Sequence, residues 1–252
     1  MIKSPLSGLH PFFRSGPLPC AYLEGRIERK LFTRLTGPQA ATLNSVLSQA
    51  GFRRSHDIIY RPVCPGCTAC KPVRIPANRF IPGRTMRRLE RLNGRLKLIA
   101  CPPTPTNEQF DLFSRYQTDR HAESEMARMS EGDFAAMVED GAESAEIHEL
   151  RDEWDNRLIG VMLADRLSDG FSAVYSFFDP ADQKRSLGTY MIMRLVDETL
   201  RRGLDHVYLG YWIAGSRKMA YKARFQPLEL LEDGVWRDLT ADERQIANSQ
   251  LG

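Results

Sequence analysis

The chain has 252 residues, 27% of them charged and 42% hydrophobic, with a net charge of +3. That is length enough for one large or two modest soluble domains that bury a core without covalent staples. The near balance of charge excludes global electrostatics as a guide to partners, so any electrostatic function must come from local clusters. Apolar runs such as Leu158–Ala164 are too short to span a bilayer. Pro5, His10 and Pro11 stand where a signal peptide would carry its apolar stretch. Five cysteines, odd in number and mostly clustered, argue for ligands in a reducing cytoplasm rather than a disulfide framework.

The N-terminal third is rich in proline-bounded loops. Within it, Pro38 near its start and Gly51 just past its end bound a helix over Gly37–Gly51. DIIYRPV and KPVRIP predict two short strands meeting at a cysteine knuckle. There Cys64, Cys67 and Cys70 stand at strict three-residue spacing in a Pro/Gly turn, a pattern that can wrap one metal ion or cluster. Cys20 is the expected fourth ligand, with Cys101 in reserve, and four thiolates suit zinc and an iron–sulfur cluster equally. GRTMRRLERLNGR then predicts a helix over Gly83–Arg95. Arg84, Arg87, Arg88, Arg91 and Arg95 form one stripe on it, opposite Met86, Leu89, Leu92 and Leu96. Lys71, Arg74 and Arg79 add to the charge, and Glu90 is the sole acid between Lys71 and Lys97. Such a row suits phosphate, and its length suits RNA better than a small anion.

PPTPTNEQ, Pro102–Gln109, is the expected boundary between a region at 1–101 and a second domain at 102–252. Thr106 or Asn107 caps a helix through FDLFSRYQTDRHA, and EGDFAAMVED forms another. Strands AEIHELR, RLIGVMLADRL and FSAVYSFFD follow, then a helix, SLGTYMIMRLVDETLRRG, closed by Gly203. DHVYLGYW, a basic helix SRKMAYKARF and a strand PLELLE complete the order. It predicts an α+β fold on a mostly antiparallel sheet. It is also the acyltransferase pattern, in which a central strand, a loop and a helix form the acyl-donor site. That loop is Asp179–Gly188, where Lys184, Arg185 and the backbone N–H groups of the helix start can receive a phosphate or a 3′-terminal nucleotide. On the next strand Val207, Leu209 and Tyr211 are expected to face one way and Tyr208, Gly210 and Trp212 the other. Gly210 admits a close approach to the backbone. Tyr211, Trp212, Lys218 and Tyr221 mark a site where this strand enters the basic helix, with Lys222 one turn beyond Lys218. No Ser–His–Asp or Cys–His order announces a covalent nucleophile.

CAYLEGRIERKLF, GFRRSHDIIYRPVCPGCTACKPVRIP, YQTDRHAESEM, AVYSFFDPADQKRSLGTYMI and VYLGYWIAGSRKMAYKARFQPLELL occur in order over nearly the whole chain. Together they resemble the bacterial branch of the arginyl-tRNA–protein transferase family, more narrowly the aspartate/glutamate leucyltransferases of the N-degron pathway. The resemblance implies a cytoplasmic enzyme that moves leucine from leucyl-tRNA onto the α-amine of proteins beginning with Asp or Glu, marking them for degradation. Arginyl transfer, acyl-CoA-dependent N-acyl transfer and a non-catalytic zinc RNA-binding protein are the alternatives. It also implies an acetyltransferase-like (GNAT-type) aminoacyl-transferase domain at 102–252 beside the cysteine-containing α+β region. Eukaryotic relatives are associated with an iron–sulfur cluster on N-terminal cysteines; here Cys20 and the knuckle Cys64, Cys67 and Cys70 carry over only as a group. The implied partners are aminoacyl-tRNA and proteins with acidic N-termini, with no membrane.

An aminoacyl ester is already activated, and an α-amine has a pKa of about 7.7–8.0. Positioning and help for the oxyanion then matter more than a strong base, and no cofactor is required. Tyr175, Tyr211, Trp212 and Tyr221 are expected to wall the catalytic acyl and terminal-adenosine site. Lys218 and Lys222, with Lys184, Arg185 and the arginine stripe, are expected to meet tRNA phosphate. Arg74, with Arg120 and His121 as alternatives, is expected to hold the acceptor's acidic side chain.

Overall fold

A computed structural model describes residues 10–141, 143–181 and 183–249. Pro5, the outer ends of both expected domains and residue 182 of the Asp179–Gly188 loop lie outside them. The chain opens with β1 (Phe13–Arg14), β2 (Leu18–Pro19), β3 (Ile27–Glu28), β4 (Lys30–Arg34), α1 (Ala40–Gln49), β5 (Arg53–Ser55), β6 (Ile58–Pro62) and β7 (Lys71–Pro76). It continues through α2 (Arg84–Leu92), β8 (Leu96–Cys101), α3 (Asn107–Arg120), α4 (Glu131–Glu139), β9 (Ala145–Asp152), β10 (Leu158–Arg166) and β11 (Gly170–Phe178). Then come α5 (Leu187–Arg201), β12 (His206–Trp212), β13 (Glu229–Glu232), β14 (Val235–Asp238) and α6 (Ala241–Ser249).

Local chemistry sets several of these limits. The Thr106 hydroxyl accepts the Gln109 N–H while the Gln109 side chain accepts the Thr106 N–H, a reciprocal cap that satisfies two free donors of α3. Two expected helices end differently. The arginine helix stops at Leu92, where the Asn93 side-chain amide donates to the Leu89 carbonyl and Gly94 follows. Arg95 therefore leaves the stripe and pairs with Asp152 at 2.8 Å. SRKMAYKARF forms turns and a short 3₁₀ segment at Ala220–Arg224, because the Lys222 side chain is drawn inward onto a strand carbonyl.

An eight-stranded sheet in the order β14-β13-β7-β12-β11-β10-β9-β8 is the body of the molecule. Every neighbouring pair is antiparallel except β11 and β12. α5 covers one face, packing Tyr190, Met191 and Leu195 into a core with Phe171 and Val207. α3 and α4 cover the other, where Phe113 and Phe134 meet Ile147, Val161 and Phe177. Burial on both sides explains why β10 is apolar almost throughout instead of alternating. The crossing from β11 through α5 to β12 makes this a mixed, mostly antiparallel α+β fold, with the strand–loop–helix order expected from sequence.

The sheet runs through the boundary expected at residue 101. β7 inserts beside β12 with Val73 and Ile75 in the α5 core, and β8 pairs with β9. The two strands flanking the cysteines also belong to different sheets. β6 lies in a four-stranded antiparallel sheet, β1-β4-β6-β5, and only β7 joins the large one.

Candidate active site

β11 and β12 pair only at Gly170–Ser172 against His206–Tyr208 and then diverge. Arg53 of β5 bridges the gap. Its Nη1 donates to the Leu209 carbonyl at 3.1 Å and its Nη2 to the Val174 carbonyl at 2.7 Å. Gly210 makes this possible. It has φ +71°, and a Cβ there would stand 1.8 Å from Arg53 Nη1. The group that Gly210 admits to the backbone is thus an arginine of the same chain. Beside it, Lys222 is 4% exposed and donates from Nζ to the Tyr211 carbonyl at 2.5 Å. Burial and then the nearby Arg53 charge push its pKa well below the ordinary lysine value, favouring the neutral amine.

A cavity of about 640 Å³ opens at this splay. It brings Tyr175, Tyr211, Tyr221, His121, Lys218 and Lys222 together with Arg53, Tyr22 and Tyr60. Met126, Met137 and Leu163 give it an apolar side, and no carboxylate lines it among the described residues. Burial pushes the Tyr175 phenol up to about 12 and also raises Tyr211 and Tyr221, so all three stay protonated at neutral pH. Tyr175 accepts the Gln117 amide at 2.6 Å, which leaves its own O–H to donate. A second cavity, of about 700 Å³, lies over the first turn of α5, lined by Arg120, Ser186, Gly188 and Thr189. It shares His121, Lys218 and Tyr221 with the first, so the two adjoin.

Other expected site residues stand elsewhere. A bulge at Leu209–Gly210 inserts one residue into β12 and exchanges the faces beyond it. Trp212 consequently joins Val207 and Leu209 in the α5 core at 2% exposure, and does not wall the cavity. Tyr211 turns toward the small sheet, its hydroxyl 3.1 Å from the Gly51 carbonyl and 3.0 Å from that of Tyr60. Arg74 is committed on the far part of the sheet. Its Nε bonds Glu229 at 2.7 Å, its Nη1 bonds the Tyr208 hydroxyl at 3.1 Å, and its guanidinium stacks 4.3 Å from the Trp236 ring. It is not free to receive an acceptor carboxylate, because β13 and β14 supply its partners from the end of the chain. Lys222, expected at phosphate, is buried as described. Lys184 is exposed beside the second cavity, whereas Arg185 is tied to Asn93 at 2.8 Å. Arg84, Arg87, Arg88 and Arg91 remain exposed on α2, with no carboxylate ion pair among the described residues.

Arg53 and its neighbour Arg54 were not singled out from sequence. Arg54 Nε bonds Asp165 Oδ2 at 2.7 Å, and Asn44 of α1 donates to the same oxygen at 3.0 Å. Asp165 is fully buried, so this pair fixes β5, and with it Arg53, to the large sheet. The available signals were the doubled arginine in a short strand after Gly51 and the demand of Gly210 for a close neighbour.

Cys20, Cys64, Cys67 and Cys70 are neighbours, all with free thiols. The Cys70 thiol is pushed up to about 12, first by burial and then by Cys64, Cys20 and Cys67. The Arg29 N–H donates to Cys64 Sγ at 3.4 Å. Among the described residues no three His, Cys, Asp or Glu side chains converge closely enough to hold a metal ion.

Comparison with known proteins places these features in context. Residues 18–88 match the family model for the N terminus of arginine-tRNA-protein transferase, and residues 108–232 match that for its C terminus. The aspartate/glutamate leucyltransferase of Rhodospirillum rubrum is 54% identical over 245 residues, covering 97% of this chain and 98% of that protein. The aspartate/glutamate leucyltransferase of Granulibacter bethesdensis is 52% identical over 229 residues, covering 91% and 85%. Among solved structures, L-PGS from Bacillus licheniformis aligns over 73% of this chain and 65% of its own, at 12% identity and a TM-score of 0.47.

Proposed function

The chain belongs to the arginine-tRNA-protein transferase family, and from that premise we propose that it moves leucine from leucyl-tRNA onto the α-amine of proteins beginning with Asp or Glu, marking them for degradation. The observation that carries this proposal is the composition of the splay cavity. Its phenols and cations suit an ester carbonyl and an acidic acceptor, and its Met126, Met137 and Leu163 side suits a leucyl group. An arginyl group would need a carboxylate that the lining lacks.

In the reaction the α-amine attacks the ester carbonyl, a C–N bond forms and the C–O bond to the tRNA 3′-oxygen breaks. The amine gives up a proton and the departing oxygen takes one. Arg53, immobilised on two carbonyls, supplies a fixed positive potential, and the protonated Tyr175 donates to the developing oxyanion. Lys222, whose charged form burial disfavours, accepts the proton of the attacking group. Lys218, His121 and Arg120 line the mouth and take the part first expected of Arg74, pairing with the acceptor's side-chain carboxylate. No step passes through the cysteines, which act as the scaffold between β6 and β7. Their free thiols support a cytoplasmic location.

The test supplies leucyl-tRNA or arginyl-tRNA to peptides that differ only in their first residue. Leucine is expected on Asp- and Glu-led peptides and not on Ala-led ones. No transfer to any acidic N-terminus, or transfer from acetyl-CoA without tRNA, would overturn the proposal.

A further inference from the structure

A third cavity, of about 420 Å³, lies between the start of α2 and the start of α5. Its lining includes Arg84, Arg224 and Arg244, all three exposed, with Thr85, Ser186 and Thr189, and no carboxylate lines it among the described residues. Several other arginines of the molecule are instead neutralised by carboxylates. Elsewhere Arg79 pairs with Asp238, Arg151 with Glu108, Arg202 with Glu146, and Arg237 with both Glu232 and Glu243. Arg84 and Arg224 have no ion-pair partner among the described residues, and Arg244 only donates to the Gln226 amide oxygen at 3.2 Å. Three cations lining one concavity favour an anion between them.

The cavity also adjoins the reaction site. Ser186 and Thr189 line both it and the cavity over the first turn of α5, which in turn shares His121, Lys218 and Tyr221 with the splay cavity. One track therefore leads from Tyr175 and Tyr221 across the start of α5 to Arg84, and on to the exposed Arg87, Arg88 and Arg91 of α2. We propose that the Arg84–Arg224–Arg244 cavity binds backbone phosphate of the donor tRNA acceptor arm, inward of the 3′-terminal nucleotide held at the splay. Guanidinium and hydroxyl donors lining one cavity match a phosphodiester in charge and in hydrogen-bonding chemistry. The inference rests on the transferase function proposed above and gives it a direction: the RNA approaches over α2.

The experiment compares wild type with a triple variant, Arg84→Gln, Arg224→Gln and Arg244→Gln, and with the corresponding triple Lys variant. Binding of deacylated tRNA is measured against salt concentration. Leucyl transfer to one Asp-led peptide is measured from leucyl-tRNA and from 3′-O-leucyl-adenosine, a donor without phosphate. The Gln triple is expected to bind tRNA about tenfold more weakly and to lower the salt slope by about 1 to 2. Its KM for leucyl-tRNA rises about as much, kcat stays within about twofold, and leucyl-adenosine is used as well as by wild type. The Lys triple keeps most of the slope. An unchanged slope and affinity in the Gln triple would overturn the phosphate site. An equal loss on leucyl-adenosine would do so too, by placing the defect in the reaction cavity or the fold. Competition by inorganic phosphate as strong as by tRNA would reassign the site to a free anion. If wild type transfers no leucine, the proposed function fails, while the salt slopes still decide this site.

Discussion

The large sheet and the small N-terminal sheet are held in different ways. The first is buried on both faces by helices and owes its place to packed aromatic and aliphatic side chains. The second has a buried core of Leu35, Leu43 and Ile59 and is fastened to the first by polar bonds. Those bonds include Arg54 and Asn44 to Asp165, Arg53 to the two splayed strands, Tyr211 to the Gly51 and Tyr60 carbonyls, and Trp236 Nε1 to the Gln49 carbonyl. The candidate site lies at the seam, so its cations are also the fasteners. A polar bond fixes direction as well as distance, which is what a fixed charge beside a reacting ester needs.

The comparison breaks most severely at the buried pair. Arg54→Met leaves the Asp165 carboxylate buried with only Asn44 for company, and is expected to cost about 3–5 kcal/mol in urea unfolding. Adding Asp165→Asn should restore part of that loss, because the uncompensated charge is gone. Next comes Gly210→Ala, which strains a positive φ and drives a methyl into Arg53. A loss of about 1–3 kcal/mol with transfer reduced more than about tenfold is expected. In a cycle with Arg53→Ala the two substitutions should be strongly non-additive.

Lys222→Met separates stability from activity. The lysine pKa is lowered in the fold, so between that value and the unfolded value of about 10.4 only the unfolded chain binds the proton. Wild-type stability therefore gains a rise with pH over this window, and the penalty is fullest below it. The Met variant should lack that rise and be the more stable protein at neutral pH, yet transfer should fall about 100-fold. Equal pH slopes in wild type and variant would contradict a depressed lysine. The smallest effects are expected at the mouth and on the far part of the sheet. Arg120→Ala should raise KM for an Asp-led peptide a few-fold, about 1 kcal/mol of charge pairing, with kcat unchanged. Arg74→Leu should lower stability and leave peptide KM alone.

Much of the large sheet was legible because its signals are local. The cap at Thr106, the apolar run of β10 and the closing Gly203 depend on neighbours in sequence. The strand–loop–helix order from β11 to α5 exposed the acyltransferase pattern for the same reason. What escaped depends on partners far along the chain. Arg74 was assigned to an acceptor because Glu229 and Trp236, its partners, come more than a hundred residues later. Trp212 falls on the other face than its spacing suggests because the bulge at Leu209–Gly210 exchanges faces, where Gly210 also leaves room for Arg53. Lys222 looked like a surface cation in a basic stretch, but the stretch is not an α-helix and its amine turns inward. Tyr175, Tyr211 and Tyr221 are expected together from residue type and element order, and the fold brings all three to the lining of the splay cavity.

The most direct test of a reaction centre at the seam is the single-turnover rate of leucyl transfer from pre-charged leucyl-tRNA to an Asp-led peptide, measured for wild type and for Arg53→Lys. The Lys variant keeps the positive charge but cannot bridge both the Leu209 and Val174 carbonyls with one planar fork. Transfer is expected to slow by about 100-fold or more while tRNA affinity stays within about twofold. Transfer at the wild-type rate by a folded Arg53→Lys protein would contradict the placement of the reaction at the splay of β11 and β12.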